Sequence, residues 1–213
     1  MLEKVREWMK ANPHWMYWLY FIYYLLHFFL LEHFSSPRYI IHCAYDDRIP
    51  FDDTWVIFYI LWFPYFPGTL FYYMLKDKDD FKELAIKMFS GMTLCLWIYT
   101  FWPNGLDLRT GNYSSNIFGF LTYLIQSFDP PTSVCPSIHV GSTLCVMFFI
   151  LGRKNVSALN KSVMVIAGIL ICLSTLFLKQ HSLIDVFWGM IVAVFFELLF
   201  DLIKKYKNKG PSL

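Results

Sequence analysis

Two histidines and an aspartate stand at the ends of apolar helices, where ionisable side chains are costly to keep. His181 precedes Asp185 by four residues, so both side chains share one helix face. The carboxylate can hold one imidazole nitrogen and leave the other as a nucleophile, or simply favour the helix dipole. His139 follows Ser137 at another helix start and can protonate a leaving oxygen. These residue types predict nucleophilic attack by one histidine and proton transfer by the other.

Three further residues are candidates for binding a phosphate group. Ser137 follows Pro136 at the start of a helix, where free backbone amides form an anion site. Arg109 lies in the preceding loop, and a planar guanidinium suits bidentate phosphate contact. Lys179 lies two residues before His181 and can act as a point charge, although an interfacial lysine can equally extend into water. We therefore predict phosphate binding by Arg109, Ser137 and Lys179.

The elements that must position these residues are predicted to span a membrane. Of the 213 residues 57% are hydrophobic and 16% charged, whereas soluble domains carry about a quarter charged residues. A helix needs about 20 apolar residues to cross a bilayer. Five apolar runs approach that length, and a sixth is shorter. We predict an all-α integral membrane bundle of six transmembrane helices, at Trp15–Leu31, Trp55–Leu75, Leu84–Trp102, Ile138–Gly152, Ser162–Leu178 and Leu183–Ile203.

The distribution of Lys and Arg orients this bundle. The two ends of the chain and alternate connections carry 14 of the 18 basic residues. Under the positive-inside rule, both termini are then cytoplasmic, and both histidines lie on the extracytoplasmic side of the cell membrane. The net charge of +2 is too small and dispersed to indicate nucleic-acid binding.

We predict a single membrane-embedded domain over residues 1–213. Its two long outer connections, Glu32–Thr54 and Pro103–Cys135, are where substrate binding is expected, and Ile117–Ile125 within the second can form a short interfacial helix. The acidic stretch Asp46–Asp53 offers oxygen ligands for a divalent cation, but its spacing matches no metal-binding loop motif. We therefore predict a solvated, charged loop here. We predict no metal and no cofactor.

The histidine motifs resemble a known family. Pro136-Ser137-x-His139, followed by Ser174 and then His181-x-x-x-Asp185, is similar to the second and third motifs of the type 2 phosphatidic acid phosphatase superfamily. The resemblance is best over about residues 103–189 and only topological before that. It implies that His181 attacks phosphorus to form a phosphohistidine, that Asp185 orients it, and that His139 protonates the leaving group.

The same resemblance implies that Ser137 and nearby amides bind phosphoryl oxygens and that Arg109 matches the first-motif arginine. The chain departs from the family pattern at four positions. The family has a lysine, a proline and an arginine where this chain has, in that order, Trp102, Thr110 and Thr175. The family also has a glycine where this chain has Ile138. Lys179, four residues after Thr175, lies on the same helix face and can replace one missing cation.

The expected activity is that of a metal-independent lipid-phosphate phosphatase, which hydrolyses a lipid phosphomonoester or diphosphate at the extracytoplasmic face. Expected substrates are of the phosphatidic acid, phosphatidylglycerol phosphate or polyprenyl pyrophosphate class. The alternative is a lipid head-group phosphotransferase, resembling sphingomyelin synthases or inositol phosphotransferases, with the same His/His/Asp site. A non-enzymatic transporter that kept the scaffold is a third hypothesis, because ionisable residues within membranes also mark transport pathways.

Overall fold

The computed structural model describes residues 2–208 and is 75% helical, in agreement with the all-α prediction. Short 3-10 turns at Pro13–Leu19, Asp46–Arg48 and Asp53–Trp55 supplement the longer helices. The α-helices are α1 (Leu2–Ala11), α2 (Tyr20–Phe34), α3 (Val56–Lys76), α4 (Lys78–Phe101), α5 (Ile117–Phe128), α6 (Ile138–Gly152), α7 (Ala158–Phe177) and α8 (Leu183–Asn208).

Within residues 2–208, four stretches are both long and apolar enough to cross a membrane. Their mean hydropathies lie between 1.3 and 2.2, and their outward faces are lined by large apolar side chains. They are Asp53–Lys76, Lys78–Phe101, Ala158–Phe177 and Leu183–Lys207. The structure therefore supports a membrane-associated helical bundle with four long apolar helices.

The remaining two predicted spans take a different form. The run Trp15–Leu31 is divided between the 3-10 turn Pro13–Leu19 and α2, which has 15 residues. The helix predicted over Ile138–Gly152 is confirmed with the same bounds, and it too has 15 residues. Both are shorter than the about 20 residues that a straight span requires.

Polar caps on two helices and a basic last turn on a third explain why these helices begin or end outside the predicted apolar runs. Helix α4 starts six residues before Leu84 because Asp77 accepts hydrogen bonds from the Asp79 and Asp80 amides. Helix α7 starts before Ser162 because Ser157 caps the Asn160 amide. Helix α8 extends beyond Ile203 to a lysine-bearing last turn, which suits the helix dipole.

The two long outer connections are joined by a small two-stranded parallel sheet. Strand β1 (Tyr39–Ile41) comes from the first connection, and β2 (Asn104–Leu106) comes from the second. The apolar piece predicted as a short helix is helical, as α5. The acidic stretch is not the solvated loop that we expected, because Asp46 and Asp53 are buried as hydrogen-bond acceptors.

Helix α6 is the centre of the bundle and packs against α3, α4, α7 and α8. Helix α8 approaches α6 closely near the start of α6. A Cβ added to Gly189 would lie 2.7 Å from the backbone oxygen of Ser137, so only glycine permits this approach. The close contact brings the first turn of α8, with Asp185, beside the first turn of α6, with His139.

Candidate active site

The two histidines meet where α6 and α8 begin. His181 Nε2 lies 3.3 Å from His139 Nδ1, and His181 Nδ1 lies 3.4 Å from Asp185 Oδ2. The second distance is at the long end for a hydrogen bond, which is common in catalytic sites without substrate. Asp185 thus holds one nitrogen of His181 and leaves the other directed at His139. The structure brings all three predicted catalytic residues together.

Aromatic side chains of α3 fix the ring of His139. The Trp62 ring lies 4.2 Å from the imidazole centroid, and the Tyr59 ring lies 4.8 Å from it. Trp62 is itself anchored, because its indole N–H donates to Ser142 Oγ at 2.9 Å. The walls of the site therefore restrict His139 to a small range of orientations.

Asp46 binds the start of α8 from a distant part of the chain. Its carboxylate accepts from the Ser182 hydroxyl at 2.7 Å, the Leu183 amide at 2.9 Å and the Cys43 amide at 2.8 Å. Burial alone would raise the pKa of Asp46, but these hydrogen bonds bring that pKa below its ordinary value. Asp46 therefore caps α8 as a carboxylate and holds the segment next to His181.

Lys179 binds the loop that contains Asp46, and it does not line the cavity beside the histidines. Its ammonium donates to the backbone oxygens of Asp46, at 2.6 Å, and Ile49, at 2.5 Å. Burial lowers the pKa of Lys179, while the charges of Asp46 and Asp47 oppose that shift. In this structure the ammonium tethers a loop.

Arg109 lies beside the histidines, as expected for a phosphate-binding group. Its guanidinium donates to the backbone oxygens of Asp129, at 2.7 Å, and Gln126, at 3.3 Å, and to the side chain of Gln180. Arg109 Nε is buried and has no hydrogen-bond partner among residues 2–208, and burial lowers the pKa of the Arg109 guanidinium. Since Gln180 directly precedes His181, Arg109 connects the end of α5 to the loop that carries His181.

Ser137 is fully buried, and its hydroxyl caps α6 by accepting from the Val140 amide at 3.3 Å. Its own amide donates to the backbone oxygen of Asp185 at 3.0 Å. The predicted cap is thus confirmed, while the hydroxyl does not line the cavity beside the histidines. Asn104 orders the preceding segment, because its side chain bonds the Val134 and Cys135 backbones.

A cavity of about 40 Å³ opens between these groups, with room for a few water molecules. Polar, charged and aromatic side chains line it. Three polar atoms of the lining residues are buried without a partner within the described part of the chain. They are Arg109 Nε, Gln180 Nε2 and Thr132 Oγ1. Such unsatisfied groups are expected where a polar ligand binds.

A much larger apolar groove of about 640 Å³ meets this cavity. It runs between α2, α3 and α5, and its walls include Phe21, Phe63 and Leu121. The groove and the cavity share four lining residues, Tyr24, Phe28, Asp129 and His139. An apolar chain in the groove would therefore end at His139.

Of the six predicted site residues, the three predicted to be catalytic lie together, and Arg109 lies beside them. Sequence reasoning missed Asp46, Asp129 and Gln180. For Gln180 a signal existed, since it stands next to His181, but the other two lie far away in sequence. Among residues 2–208, no group of three or more His, Cys, Asp or Glu side chains is arranged to hold a metal ion.

Compared with protein-family models, curated proteins and solved structures, the chain gives no match.

Proposed function

We propose that this protein is a membrane enzyme that cleaves a lipid phosphate ester through a phosphohistidine on His181, as a lipid-phosphate phosphatase. The observation that supports this most is the relay from Asp185 to His181 to His139, with distances of 3.4 and 3.3 Å. A carboxylate that holds Nδ1 leaves Nε2 of His181 as the nucleophile. The motif resemblance to type 2 phosphatidic acid phosphatases points to the same chemistry.

The reaction proceeds in two steps at this relay. His181 Nε2 attacks phosphorus, the bond from phosphorus to the lipid oxygen breaks, and His139 delivers a proton to that oxygen. Water then attacks the phosphohistidine, loses its proton to His139, and breaks the phosphorus–nitrogen bond. Asp185 stabilises the imidazolium that develops on His181. Arg109 binds phosphoryl oxygens, which requires exchange of its present contacts with backbone oxygens and Gln180.

The apolar groove supports a lipid substrate. It lies against the site on the side of α2, α3 and α5, and its end is formed by His139 and Asp129. Lipid tails that occupy the groove would place a phosphate ester in the cavity with the histidines. The phosphate enters by replacing the contact between His139 and His181.

The proposed topology has six spans, both termini in the cytoplasm and the site on the extracytoplasmic side of the cell membrane. The two additional spans are α6 and the segment formed by Pro13–Leu19 with α2. Helix α6 is about 22 Å long at 1.5 Å per residue, and its neighbours α4, α7 and α8 shield it from lipid. The bias of basic residues toward one side supports this orientation.

The second candidate is transfer of the phosphoryl head group to a lipid alcohol instead of water. The residue Thr175 favours it, because sphingomyelin synthases and inositol phosphotransferases resemble this pattern and can also lack the third-motif arginine. A lipid donor labelled in its phosphate distinguishes the two. Label in free phosphate or a free phosphate ester indicates hydrolysis, whereas label in a second lipid indicates transfer.

Covalent labelling tests the histidine mechanism. Purified protein incubated with the labelled lipid and quenched in base is expected to retain base-stable, acid-labile label, and His181→Ala is expected to retain none. Turnover by His181→Ala should fall by about 10³-fold or more. His42→Ala is the matched control, since His42 is an exposed histidine of the outer loop paired with Asp47. Normal turnover by His181→Ala would overturn the proposal.

A further inference from the structure

A second groove lies between α3 and α7, toward the end of the bundle away from the histidines. Its volume is about 580 Å³, and it shares no lining residue with the groove that meets His139. Ile150 lines it and follows His139 by eleven residues, which is about 16 Å along α6. Ligand pockets commonly measure about 300–1,000 Å³. The second groove is therefore large enough for a ligand of its own.

Two contacts hold α3 and α7 together and leave the second groove open below them. The ring of Trp55, just before α3, stacks on Phe177 at the end of α7 with 4.3 Å between centroids. The Tyr65 hydroxyl donates to the backbone oxygen of Met164 at 2.9 Å. Nearer the end of α3, a Cβ added to Gly68 would meet no atom within 4 Å. A side chain at that position would project into open space.

The lining of the second groove changes from apolar to polar along its length. Pro64 and Ala167 line the part near the middle of α3 and α7. Lys76, Asn155 and Asn160 line the other part, where α3 ends and α7 begins. A molecule with an apolar tail along the helices and a polar head group at their ends matches this order.

Lys76 gives the polar part a positive charge. It is the one charged residue among the described residues that line the second groove. Its ammonium donates to the Tyr72 hydroxyl at 2.6 Å, and no carboxylate oxygen of residues 2–208 lies within 4.0 Å of it. The nearby carboxylates have other partners, since Asp77 caps α4 and Asp80 binds Arg153. The charge of Lys76 thus remains available to an anion.

Further lysines flank the same part of the second groove. Lys154 directly precedes Asn155, and Lys161 directly follows Asn160. Basic pockets between membrane helices bind anionic lipid head groups. In the proposed topology this end of the bundle faces the cytoplasm, where the leaflet has a negative surface potential. The charges therefore favour a head group with net negative charge over a neutral one.

We propose that a phospholipid with a net negative head group binds in the second groove, with an acyl chain between α3 and α7 and its head group at Lys76. The described residues that line this groove include no histidine, so the lipid is bound there as a ligand and is not turned over.

Photocrosslinking tests the site. Purified full-length protein in mixed micelles is irradiated with a phosphatidylglycerol that carries a diazirine in its acyl chain, and labelled peptides are mapped by mass spectrometry. We expect label near Tyr65 and Met164. Unlabelled phosphatidylglycerol should compete at an about fivefold lower concentration than phosphatidylcholine with the same chains, the factor expected for one lysine contact. Equal competition by the two lipids, or no label on the second groove, would overturn the inference.

The variant Lys76→Gln tests the head-group contact. It should raise the concentration of phosphatidylglycerol needed for half-competition about fivefold and leave that of phosphatidylcholine unchanged. Lys78→Gln is the matched control, since Lys78 is exposed and does not line the second groove. Unchanged competition in Lys76→Gln would reject the contact.

The variant Gly68→Leu tests the acyl-chain site. Leucine suits a helix better than glycine, and its side chain would fill the open space, so labelling of the second groove should fall at least fivefold. Leu75→Phe, which adds volume at an exposed position of α3 outside the second groove, should label as the wild type does. Full labelling of Gly68→Leu would reject the site. Labelling does not depend on turnover, so its failure would leave the proposed function intact.

Discussion

The two ends of α6 hold ionisable groups in opposite ways. Beside its C-terminal half, Lys87 is 3% exposed and donates to Glu83 at 3.1 Å and Glu197 at 3.0 Å. Arg153 binds the same Glu83 at 2.8 Å. Each buried charge there faces an opposite one. At the N-terminal end, the histidines meet each other, and the Asp129 carboxylate forms no ion pair with a lysine or arginine of residues 2–208.

This difference separates a structural site from a chemical one. A buried charge that is fully paired holds helices together and resists change, as Lys87 does between α4 and α8. Groups left without partners retain their capacity to bind, and several such atoms line the cavity. Substitutions at the N-terminal end of α6 should therefore affect catalysis, and those at the other end should affect stability.

The largest effect after loss of His181 is expected from His139→Ala. Removal of the proposed general acid should lower kcat/KM, which reports the first step, by about 10²–10⁴-fold on a lipid with an alkoxide leaving group. On a p-nitrophenyl phosphate ester, whose leaving group needs no proton, the loss in kcat/KM should be under tenfold. Parallel rate measurements on the two esters check this. An equal loss on both would mean that His139 does not act as the acid.

The next largest effect is expected when a methyl group is added between α6 and α8. In Gly189→Ala the new Cβ would meet Ser137 O at 2.7 Å, so α8 must move away from α6. We expect a loss of about 1–3 kcal/mol in stability and up to about 10²-fold in kcat. Gly152→Ala is the control, because nothing lies within 4 Å of its added Cβ. Thermal unfolding and turnover should both separate these two variants.

Asp46→Asn should have a smaller effect that depends on pH. Loss of the charged cap should reduce kcat about tenfold, equivalent to about 1.4 kcal/mol, with little change in KM. Because the folded-state pKa is below the ordinary value, the stabilisation by Asp46 is present above pH 3.8 and is lost as pH falls through the folded-state pKa. Acid unfolding curves of the wild type and Asp46→Asn should therefore converge at low pH.

The exposed neighbour Asp47 provides the control for that experiment. Asp47 pairs with His42 at the surface, so Asp47→Asn should change neither kcat nor the acid limb of unfolding. If both aspartate variants behaved alike, the cap on α8 would not position His181.

The smallest catalytic effect is expected at the other end of the bundle. Lys87→Met should lower stability by about 3 kcal/mol, since it leaves Glu197 without its cation. Turnover per folded molecule should stay within about twofold, because the histidines lie at the far end of α6. Combining it with Glu197→Leu should recover stability, as measured by thermal unfolding. Strong loss of kcat without loss of stability would contradict the division between the two ends.

Local patterns predicted much of this molecule. The spacing of His181 and Asp185 predicted their contact, although His181 lies just before α8 and not within it. The cap by Ser137 and the bounds of α6 could also be predicted from the residues. Expectations failed where a distant partner decided the outcome. Asp46 was expected in a solvated loop, yet it binds Ser182 and Leu183 at the start of α8.

The sequence alone determined the apolar helices, their capping residues and the histidine motifs, because these depend on side-chain type and on spacing within one turn or one run. Only the tertiary structure decided which long-range contacts surround the histidines. Lys179 binds backbone oxygens of the Asp46 loop, and Asp129 meets the cavity through the fold of α5. The physical reason is that a side chain's partners depend on how helices pack, and packing places residues together that are more than a hundred positions apart.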